Sequence, residues 1–144
     1  LFRSIPWVSG PRRSTACLIR EMVTDAAAGR PTRIPYGRDF PRQYVHIDDV
    51  AGAMIAALDR PDLPQQAYNI SGGSWITLGE VAETVMRVIP GARVEVAPGD
   101  DPGDMRQERF DISAAARDLG YVPRISLEDG LRSYQAWLAG QAAS

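Results

Sequence analysis

The chain contains no lysine: all 16 of its basic residues are arginines. Chemistry that depends on a lysine amine is therefore excluded for this chain alone. The excluded classes include Schiff-base catalysis and the lysine-containing P-loop that binds nucleotide phosphates. Any phosphate recognition by this chain has to use other groups.

Cysteine and long apolar runs are also scarce. The single cysteine, Cys17, excludes an internal disulfide and favours a reducing compartment, so we expect a cytoplasmic protein. No run approaches the roughly 18 apolar residues of a spanning helix, and the first seven residues do not resemble a signal peptide. A net charge of −2 gives no attraction to nucleic acid or membranes, so neither is expected as a partner. The only histidine, His46, has no neighbours at metal-ligand spacing, and no metal site is predicted.

Length and composition are those of one ordinary globular domain. The 144 residues can bury a core, and 44% hydrophobic with 24% charged residues is an average balance. Short alternating segments and amphipathic segments follow one another without an internal repeat. We predict a mixed α/β fold of short strands and helices. Residues 67–70, AYNI, predict a strand too short to form a sheet alone, and such strands usually join a sheet built elsewhere.

Three helices have clear sequence signals. Residues 13–28 carry an apolar face that ends before a glycine, and residues 77–80 form a T-x-x-E capping box that predicts a helix start. Residues 127–140 carry a third apolar stripe. The predicted inward residues are Leu18, Ile19, Met22, Val23 and Ala26 in the first helix and Leu127, Leu131, Tyr134, Trp137 and Leu138 in the last.

Residues 42–50, RQYVHIDDV, combine an arginine, an alternating segment and two aspartates. The alternation predicts a short strand, and Asp48 or Asp49 is expected to cap the following helix and complement its dipole. Adjacent carboxylates point apart on a helix, so the pair is not expected to form an acid–base dyad. The inward face of this helix is predicted to comprise Val50, Met54, Ile55 and Leu58.

Several segments together resemble the extended short-chain dehydrogenase/reductases, the NAD-dependent epimerase/dehydratase group that acts on nucleotide sugars. WVSGPRR is similar to N-V-Y-G-P-R, and RQYVHIDDVAGA is similar to R-D-F/Y-V-H/Y-V-D-D-V-A-x-A. AYNISGGSWITLGEVAE resembles Y-N-I-G-x-G…T-x-x-E. PGDMRQERFDISAAARDLGYVP resembles R-P-G-D…D-x-S-K-A-x-x-x-L-G-Y-x-P. The segments occur in the family's order along nearly the whole chain.

The resemblance implies that residues 1–144 are the C-terminal, substrate-binding part of an extended Rossmann-type fold. The glycine-rich dinucleotide loop and the catalytic Tyr-x-x-x-Lys do not occur in this sequence. They are expected in an N-terminal region that precedes Leu1. In the intact enzyme, NAD or NADP would exchange a hydride with a sugar substrate, and the isolated chain is expected to be inactive. A homo-oligomer is also compatible with the sequence.

The resemblance also implies site residues. Arg42 stands where the family contacts the substrate diphosphate, a role that suits the planar donor fork of a guanidinium. The alternative is a surface arginine paired with Asp39 or Asp48. At the position of a family arginine this chain has Asp101, and a carboxylate there disfavours a neighbouring diphosphate. The expected substrate-binding residues are Arg42, Asp104, Tyr36, Arg106 and Trp7, with Arg109 as an alternative to Arg106, and Pro6 and Val8 are expected beside the cofactor.

Two other functions remain open from the sequence. Asp101 favours a reductase or lyase that acts on a substrate without a nucleotide. Alternatively, the scaffold is a non-catalytic module for ligand binding or assembly, because unpaired strand edges and apolar faces seek partners.

Overall fold

The computed structural model describes residues 2–3, 17–102, 106 and 108–142. The chain divides into two compact units, each built from segments that lie far apart in the sequence. The first unit includes residues 2–3, 43–75 and 108–126. The second unit includes residues 17–42, 76–102, 106 and 127–142.

Helices and short strands are mixed along the chain, as the sequence predicts. The helices are α1 Leu18–Ala27, α2 Ile47–Leu58, α3 Leu78–Val88, α4 Ser113–Leu119 and α5 Leu127–Ala142. The strands are β1 Phe2–Arg3, β2 Thr32–Ile34, β3 Pro41–Arg42, β4 Tyr68–Asn69, β5 Ile76–Thr77 and β6 Val94–Val96. Among the described residues, no helix is both long and apolar enough to cross a bilayer.

The first unit packs α2 and α4 on a parallel pair of strands. Strand β1 pairs with β4, with Phe2 opposite Tyr68 and Arg3 opposite Asn69. The strand predicted within AYNI is thus confirmed, and its partner comes from the start of the chain. Eight buried side chains form the core of this unit: Val45, Val50, Ala53, Tyr68, Ile70, Ala115, Leu119 and Tyr121.

Helix α2 differs from its prediction in both cap and face. His46 is the N-cap, and its Nδ1 accepts a hydrogen bond of 3.2 Å from the Asp48 N–H, so neither aspartate caps the helix. Val50 is buried as predicted, whereas Met54, Ile55 and Leu58 are 46%, 60% and 83% exposed. Alanines or other apolar residues occur all around this helix, so its period does not define one inward face.

The second unit places three helices around two further strand pairs. Helix α3 contacts α1, α5 and β6. Strand β2 pairs in parallel with β6, and β3 pairs antiparallel with β5. The capping box at the start of α3 is confirmed: the Thr77 hydroxyl accepts from the Glu80 N–H at 3.2 Å, and Glu80 accepts from the Thr77 N–H at 2.6 Å.

The apolar faces predicted for the first and last helices are confirmed in their centres. Ile19, Met22 and Val23 are buried in α1, and Leu131 and Tyr134 are buried in α5. The end of the α5 stripe is different, because Trp137 is substantially exposed and stacks on the Tyr134 ring at a centroid distance of 5.8 Å.

The strand predicted for residues 42–47 is shorter than expected. Only Pro41 and Arg42 pair with β5, and Arg42 lies opposite Ile76. Further along, the Gly72 N–H donates to the Tyr44 carbonyl at 3.0 Å. A Cβ on Gly72 would lie 2.2 Å from that oxygen, so only glycine allows the two backbones to approach this closely.

Gly72→Ala is expected to destabilise the protein by more than about 2 kcal/mol, because the added carbon overlaps a backbone oxygen that is itself hydrogen-bonded. Gly52→Ala, within α2, is the matched control, since a Cβ there meets nothing within 4 Å. It should stabilise by about 0.5–1 kcal/mol through helix propensity. Denaturant unfolding measures both, and equal effects of the two substitutions would contradict the proposed close approach.

Candidate functional site

Arg42 forms an ion pair with Asp101 within the second unit. An Nη2 N–H of Arg42 donates to Oδ2 of Asp101. The two side chains are only 16% and 8% exposed, which distinguishes this pair from the surface arginine that the sequence left as an alternative. Neither Asp39 nor Asp48 is paired with Arg42; Asp101, which stands where the resemblance expects an arginine, is a partner instead.

A second arginine lies against the same aromatic ring. The Cζ atoms of Arg42 and Arg106 lie 5.2 Å and 5.5 Å from the centroid of the buried Phe40 ring. Arg106 is paired with Asp100, with its Nη2 3.0 Å from Oδ1. We call Phe40, Arg42, Asp100, Asp101 and Arg106 the Phe40 cluster. Cation–π attraction to the ring helps to orient both guanidinium groups.

Backbone hydrogen bonds hold the segment before Asp101 beside the segment before Arg42. The Ala97 N–H donates to the Ile34 carbonyl at 2.8 Å, the Arg38 N–H donates to the Ala97 carbonyl at 3.0 Å, and the Gly37 N–H donates to the Gly99 carbonyl at 2.9 Å. These bonds extend the β2–β6 pairing toward the Phe40 cluster. Asp101 is therefore positioned by the fold and not by a loose loop.

The start of α3 packs on the other side of the same segment. The Leu78 N–H donates to the Phe40 carbonyl at 3.2 Å, and the Gly79 N–H donates to the Arg38 carbonyl at 2.9 Å. A Cβ on Gly79 would lie 3.0 Å from that Arg38 oxygen, so the small residue permits the contact. The main chain around Phe40 is thereby fixed from two directions.

The charges of the Phe40 cluster cancel, since it holds two guanidinium groups and two carboxylates. The two pairs differ in burial: Arg106 and Asp100 are 60% and 73% exposed, in contrast to the largely buried pair of Arg42 and Asp101. An exposed pair separates at little cost, whereas separating a buried pair leaves uncompensated charge. A ligand therefore reaches Arg106 more easily than Arg42.

The other predicted site residues have different positions. Tyr36 is half-buried in the turn after β2, within the second unit. Arg109 lies in the first unit, where its Nη2 donates to the Gly73 carbonyl at 2.7 Å. The predicted residues Trp7, Asp104, Pro6 and Val8 lie outside the described residues.

The aspartates that follow the predicted strand have separate roles. Asp48 is exposed, whereas Asp49 is buried and accepts hydrogen bonds from the N–H groups of Arg124 and Ile125 at 3.1–3.2 Å. Asp49 thus ties α2 to the segment after α4. A structural role was expected for this residue, but as a helix cap and not as a link between two segments.

Gln43 is a structural residue that the sequence did not single out. Its side chain is buried, donates to the Glu108 carbonyl at 3.1 Å and accepts from the Phe110 N–H at 2.7 Å. Nothing in the local pattern identifies a glutamine as the partner of a segment 65 residues away. Its position next to Arg42 in the sequence was the only available signal.

A cavity of about 290 Å³ lies within the first unit, between α2 and the end of α4. Asp49, Tyr121 and Arg124 are among its lining residues, and none of the predicted substrate-binding residues is. The Tyr121 hydroxyl donates to the Ser71 carbonyl at 2.9 Å. Burial, together with the charge of Asp49, raises the pKa of Tyr121 to about 12.

The starts of helices α2 and α3 do not favour the binding of a dinucleotide phosphate. The first turn of α2 carries Asp48 and Asp49, and that of α3 carries Glu80, so neither N-terminus favours a pyrophosphate. Gly72 and Gly79 serve close backbone contacts and do not form a phosphate cradle. Within the same residues, no group of three or more His, Cys, Asp or Glu side chains is arranged to bind a metal ion.

Comparison with known sequences identifies the family. Residues 5–71 match the family described as "NAD dependent epimerase/dehydratase family". The chain is 31% identical over 98 residues to the dTDP-L-rhamnose 4-epimerase of Burkholderia thailandensis, over 68% of this chain and 27% of that protein. It is 32% identical over 127 residues to UDP-glucose 4-epimerase 3 of Oryza sativa subsp. japonica, over 78% of this chain and 33% of that protein.

Solved structures share the fold. UDP-glucuronic acid 4-epimerase from Bacillus cereus, in complex with UDP-glucuronic acid and NAD, matches 92% of this chain and 43% of its own, with a TM-score of 0.76 and 23% identity. UDP-glucose 4-epimerase from Thermotoga maritima, with UDP-glucose, matches 88% of this chain and 40% of its own, with a TM-score of 0.76 and 24% identity.

The fold is therefore the α/β, Rossmann-type fold of these epimerases, as the sequence predicted. The chain belongs to the NAD-dependent epimerase/dehydratase family of extended short-chain dehydrogenase/reductases. It spans about a third of the length of the curated relatives that it matches.

The raised pKa of Tyr121 predicts a pH dependence of stability. Because the folded-state pKa exceeds the usual value of 10.0, the folded protein favours the neutral phenol. The resulting stabilisation is fully present below about pH 10 and is lost as the pH rises toward about 12. Tyr121→Phe should lose stability less steeply than the wild type over this window in denaturant unfolding. Burial also raises the pKa values of Tyr68 and Tyr134, but both proteins contain these residues, so they do not affect the comparison. If stability falls equally steeply with pH in the two proteins, Tyr121 is not the source of the pH dependence.

Proposed function

We propose that this chain is the C-terminal, substrate-binding part of an NAD- or NADP-dependent epimerase or dehydratase that acts on a nucleotide sugar. Membership of the family and the shared fold support this function. Several relatives and structural neighbours are named as enzymes of dTDP-, UDP- or GDP-sugars. The single cysteine of this chain and its net charge of −2 favour a cytoplasmic enzyme with a small-molecule substrate.

The observation that carries the proposal is the position of Arg42 in the Phe40 cluster. A guanidinium held against an aromatic ring by a rigid backbone is pre-oriented, which reduces the entropy lost when it binds an anion. In our proposal Arg42 binds the substrate diphosphate, Arg106 adds a second positive charge, and Tyr36 and Asp104 contact the nucleoside. Trp7 is proposed to line the sugar pocket.

Two features of the first unit support an additional N-terminal part. Strands β1 and β4 form a parallel pair of two residues each, although parallel sheets normally have several strands and are covered on both faces. Helix α2 also exposes Met54, Ile55 and Leu58. An N-terminal dinucleotide-binding region would supply further strands and cover these side chains. The same exposed face would serve a homo-oligomer or an assembly module if no such region exists.

NAD is proposed to bind mainly to that N-terminal part. The first turns of α2 and α3 in this chain are acidic, which disfavours a phosphate group there. Gly72 and Gly79 serve close backbone contacts and do not form a phosphate-binding loop. Pro6 and Val8 are proposed to contact it. The chemistry that NAD supplies is reversible hydride transfer, and the role that we assign to the present chain is to bind and orient the sugar nucleotide.

A substrate without a nucleotide is the second candidate. The ion pair with Asp101 favours it, because this carboxylate already neutralises the charge that a diphosphate would use. A reductase or lyase for a neutral or monoanionic substrate would not need to displace Asp101.

Arg42→Ala in the chain at its full natural length should weaken the binding of UDP- and dTDP-sugars at least tenfold, since a charge-assisted hydrogen bond contributes about 1.5–3 kcal/mol. Arg33→Ala is the matched control, because Arg33 lies in the same unit and forms only an exposed pair with Glu95. Isothermal titration calorimetry measures both. If Arg42→Ala leaves the affinity unchanged, Arg42 does not bind the diphosphate, and a substrate without a nucleotide is favoured.

If NAD binds mainly to the N-terminal part, residues 1–144 alone should bind NAD weakly, because the loop that binds the cofactor's phosphates is expected elsewhere in the protein. The coding sequence upstream of Leu1 should encode a strand, a G-x-x-G-x-x-G segment and a Tyr-x-x-x-Lys pair. Calorimetry with NAD tests the first expectation, and a micromolar dissociation constant would refute it. An upstream sequence without these motifs would favour the assembly module.

A further inference from the structure

Asp101 holds the guanidinium group that we assign to substrate binding. Its carboxylate accepts a hydrogen bond from Arg42 Nη2, and both side chains are largely withdrawn from water. The interaction is contained within the second unit and connects residues 59 positions apart in the sequence. An anion that binds Arg42 through the same nitrogen therefore meets a carboxylate that is already there.

We propose that Asp101 is an internal competitor of the ligand at Arg42 and thereby sets which anions the site accepts. Without ligand, Asp101 neutralises Arg42 and keeps its guanidinium in place. When ligand binds, Asp101 has to give up this contact or share it. The inference rests on the proposed function of Arg42, and it adds a specificity-determining residue to that site.

The burial of Asp101 is what makes the competition effective. Asp100 loses little when a ligand takes Arg106, because its carboxylate is already hydrated. The carboxylate of Asp101 is much less hydrated, since its side chain is only 8% exposed. Separated from Arg42, it would be a buried carboxylate beside the bound anion, and like charges in a poorly hydrated site repel strongly.

The surrounding backbone prevents Asp101 from moving away easily. Gly37 and Arg38 donate their N–H groups to the carbonyls of Gly99 and Ala97, which fixes the approach to Asp101. Gly37 has a φ of 83°, and a Cβ there would meet Leu78 at 3.4 Å and Asp101 at 4.0 Å. Because these backbone hydrogen bonds hold the segment in place, rotation of the Asp101 side chain is the simplest way to release Arg42.

The expected consequence is discrimination by charge. A doubly or triply charged pyrophosphate group should be penalised more than a single phosphate or carboxylate, because repulsion from Asp101 grows with the charge of the ligand. Neutralising Asp101 should relieve this penalty. The alternative is that Asp101 is a positioning residue that prepares Arg42 for the ligand, in which case its removal would weaken binding.

The two roles predict opposite effects of Asp101→Asn. With the chain at its full natural length, the substitution should tighten the binding of inorganic pyrophosphate and UDP about tenfold, and that of inorganic phosphate by a smaller factor. Glu95→Gln is the matched control: it neutralises an exposed carboxylate of the same unit that pairs with Arg33 outside the Phe40 cluster, and we expect a change of less than about threefold. Isothermal titration calorimetry gives the dissociation constants, and circular dichroism verifies the fold of each variant.

Unchanged or weaker pyrophosphate binding in a folded Asp101→Asn protein overturns the inference. Binding to the Arg42→Ala variant distinguishes failure of the Asp101 proposal from failure of the proposed function of Arg42. If Arg42→Ala weakens binding and Asp101→Asn does not strengthen it, the diphosphate site stands without the competitor. If Arg42→Ala has no effect, the site itself is wrong, and any gain in Asp101→Asn does not arise at Arg42. The double variant should show no gain over Arg42→Ala.

Thermal unfolding provides a second readout if Asp101→Asn is poorly stable. Loss of the buried pair should lower the unfolding midpoint without ligand, and added pyrophosphate should raise the midpoint more in the variant than in the wild type. Asp101→Ser, a smaller neutral replacement, should behave in the same way. A pyrophosphate-induced rise that is equal in all three proteins contradicts competition.

Discussion

The ion pair between Arg42 and Asp101 is the interaction on which the candidate site depends. It lies where two parts of the second unit meet: the strand β3, and the segment that continues from β6. A pair this well shielded from water is costly to break from one side, because the remaining buried charge loses an oppositely charged neighbour. The pair thus contributes to the fold, and in our proposal it also limits which anionic ligands bind at Arg42.

The remainder of the Phe40 cluster follows from that constraint. Phe40 presents its ring to two guanidinium groups, and each of these arginines is also paired with a carboxylate. Asp100 and Asp101 are adjacent in sequence but differ widely in exposure. The Phe40 cluster therefore has one largely buried ion pair and one exposed ion pair, although each pair consists of one positive and one negative charge.

The sequence predicted those features whose causes are local. The capping box of α3 and the centres of the α1 and α5 faces were correct, because capping and helical periodicity act within a few residues. The cap and face of α2 were wrong, since alanines on several sides leave the choice to packing partners. The partner of Arg42 was also missed: Asp101 is distant in sequence, and its burial is a property of the folded unit. The family resemblance identified Arg42 and marked Asp101 as a departure, although it did not reveal that the two are joined.

The capping of α2 by His46 has a consequence for proton transfer. Nδ1 of the imidazole accepts the Asp48 N–H, so the neutral ring carries its hydrogen on Nε2. The tautomer of the chain's sole histidine is thus fixed by a backbone donor, and one of its two nitrogens is committed to the start of a helix. In its neutral form this side chain acts as an oriented dipole, and a shuttle that passes a proton through the ring from one nitrogen to the other would first have to uncap the helix.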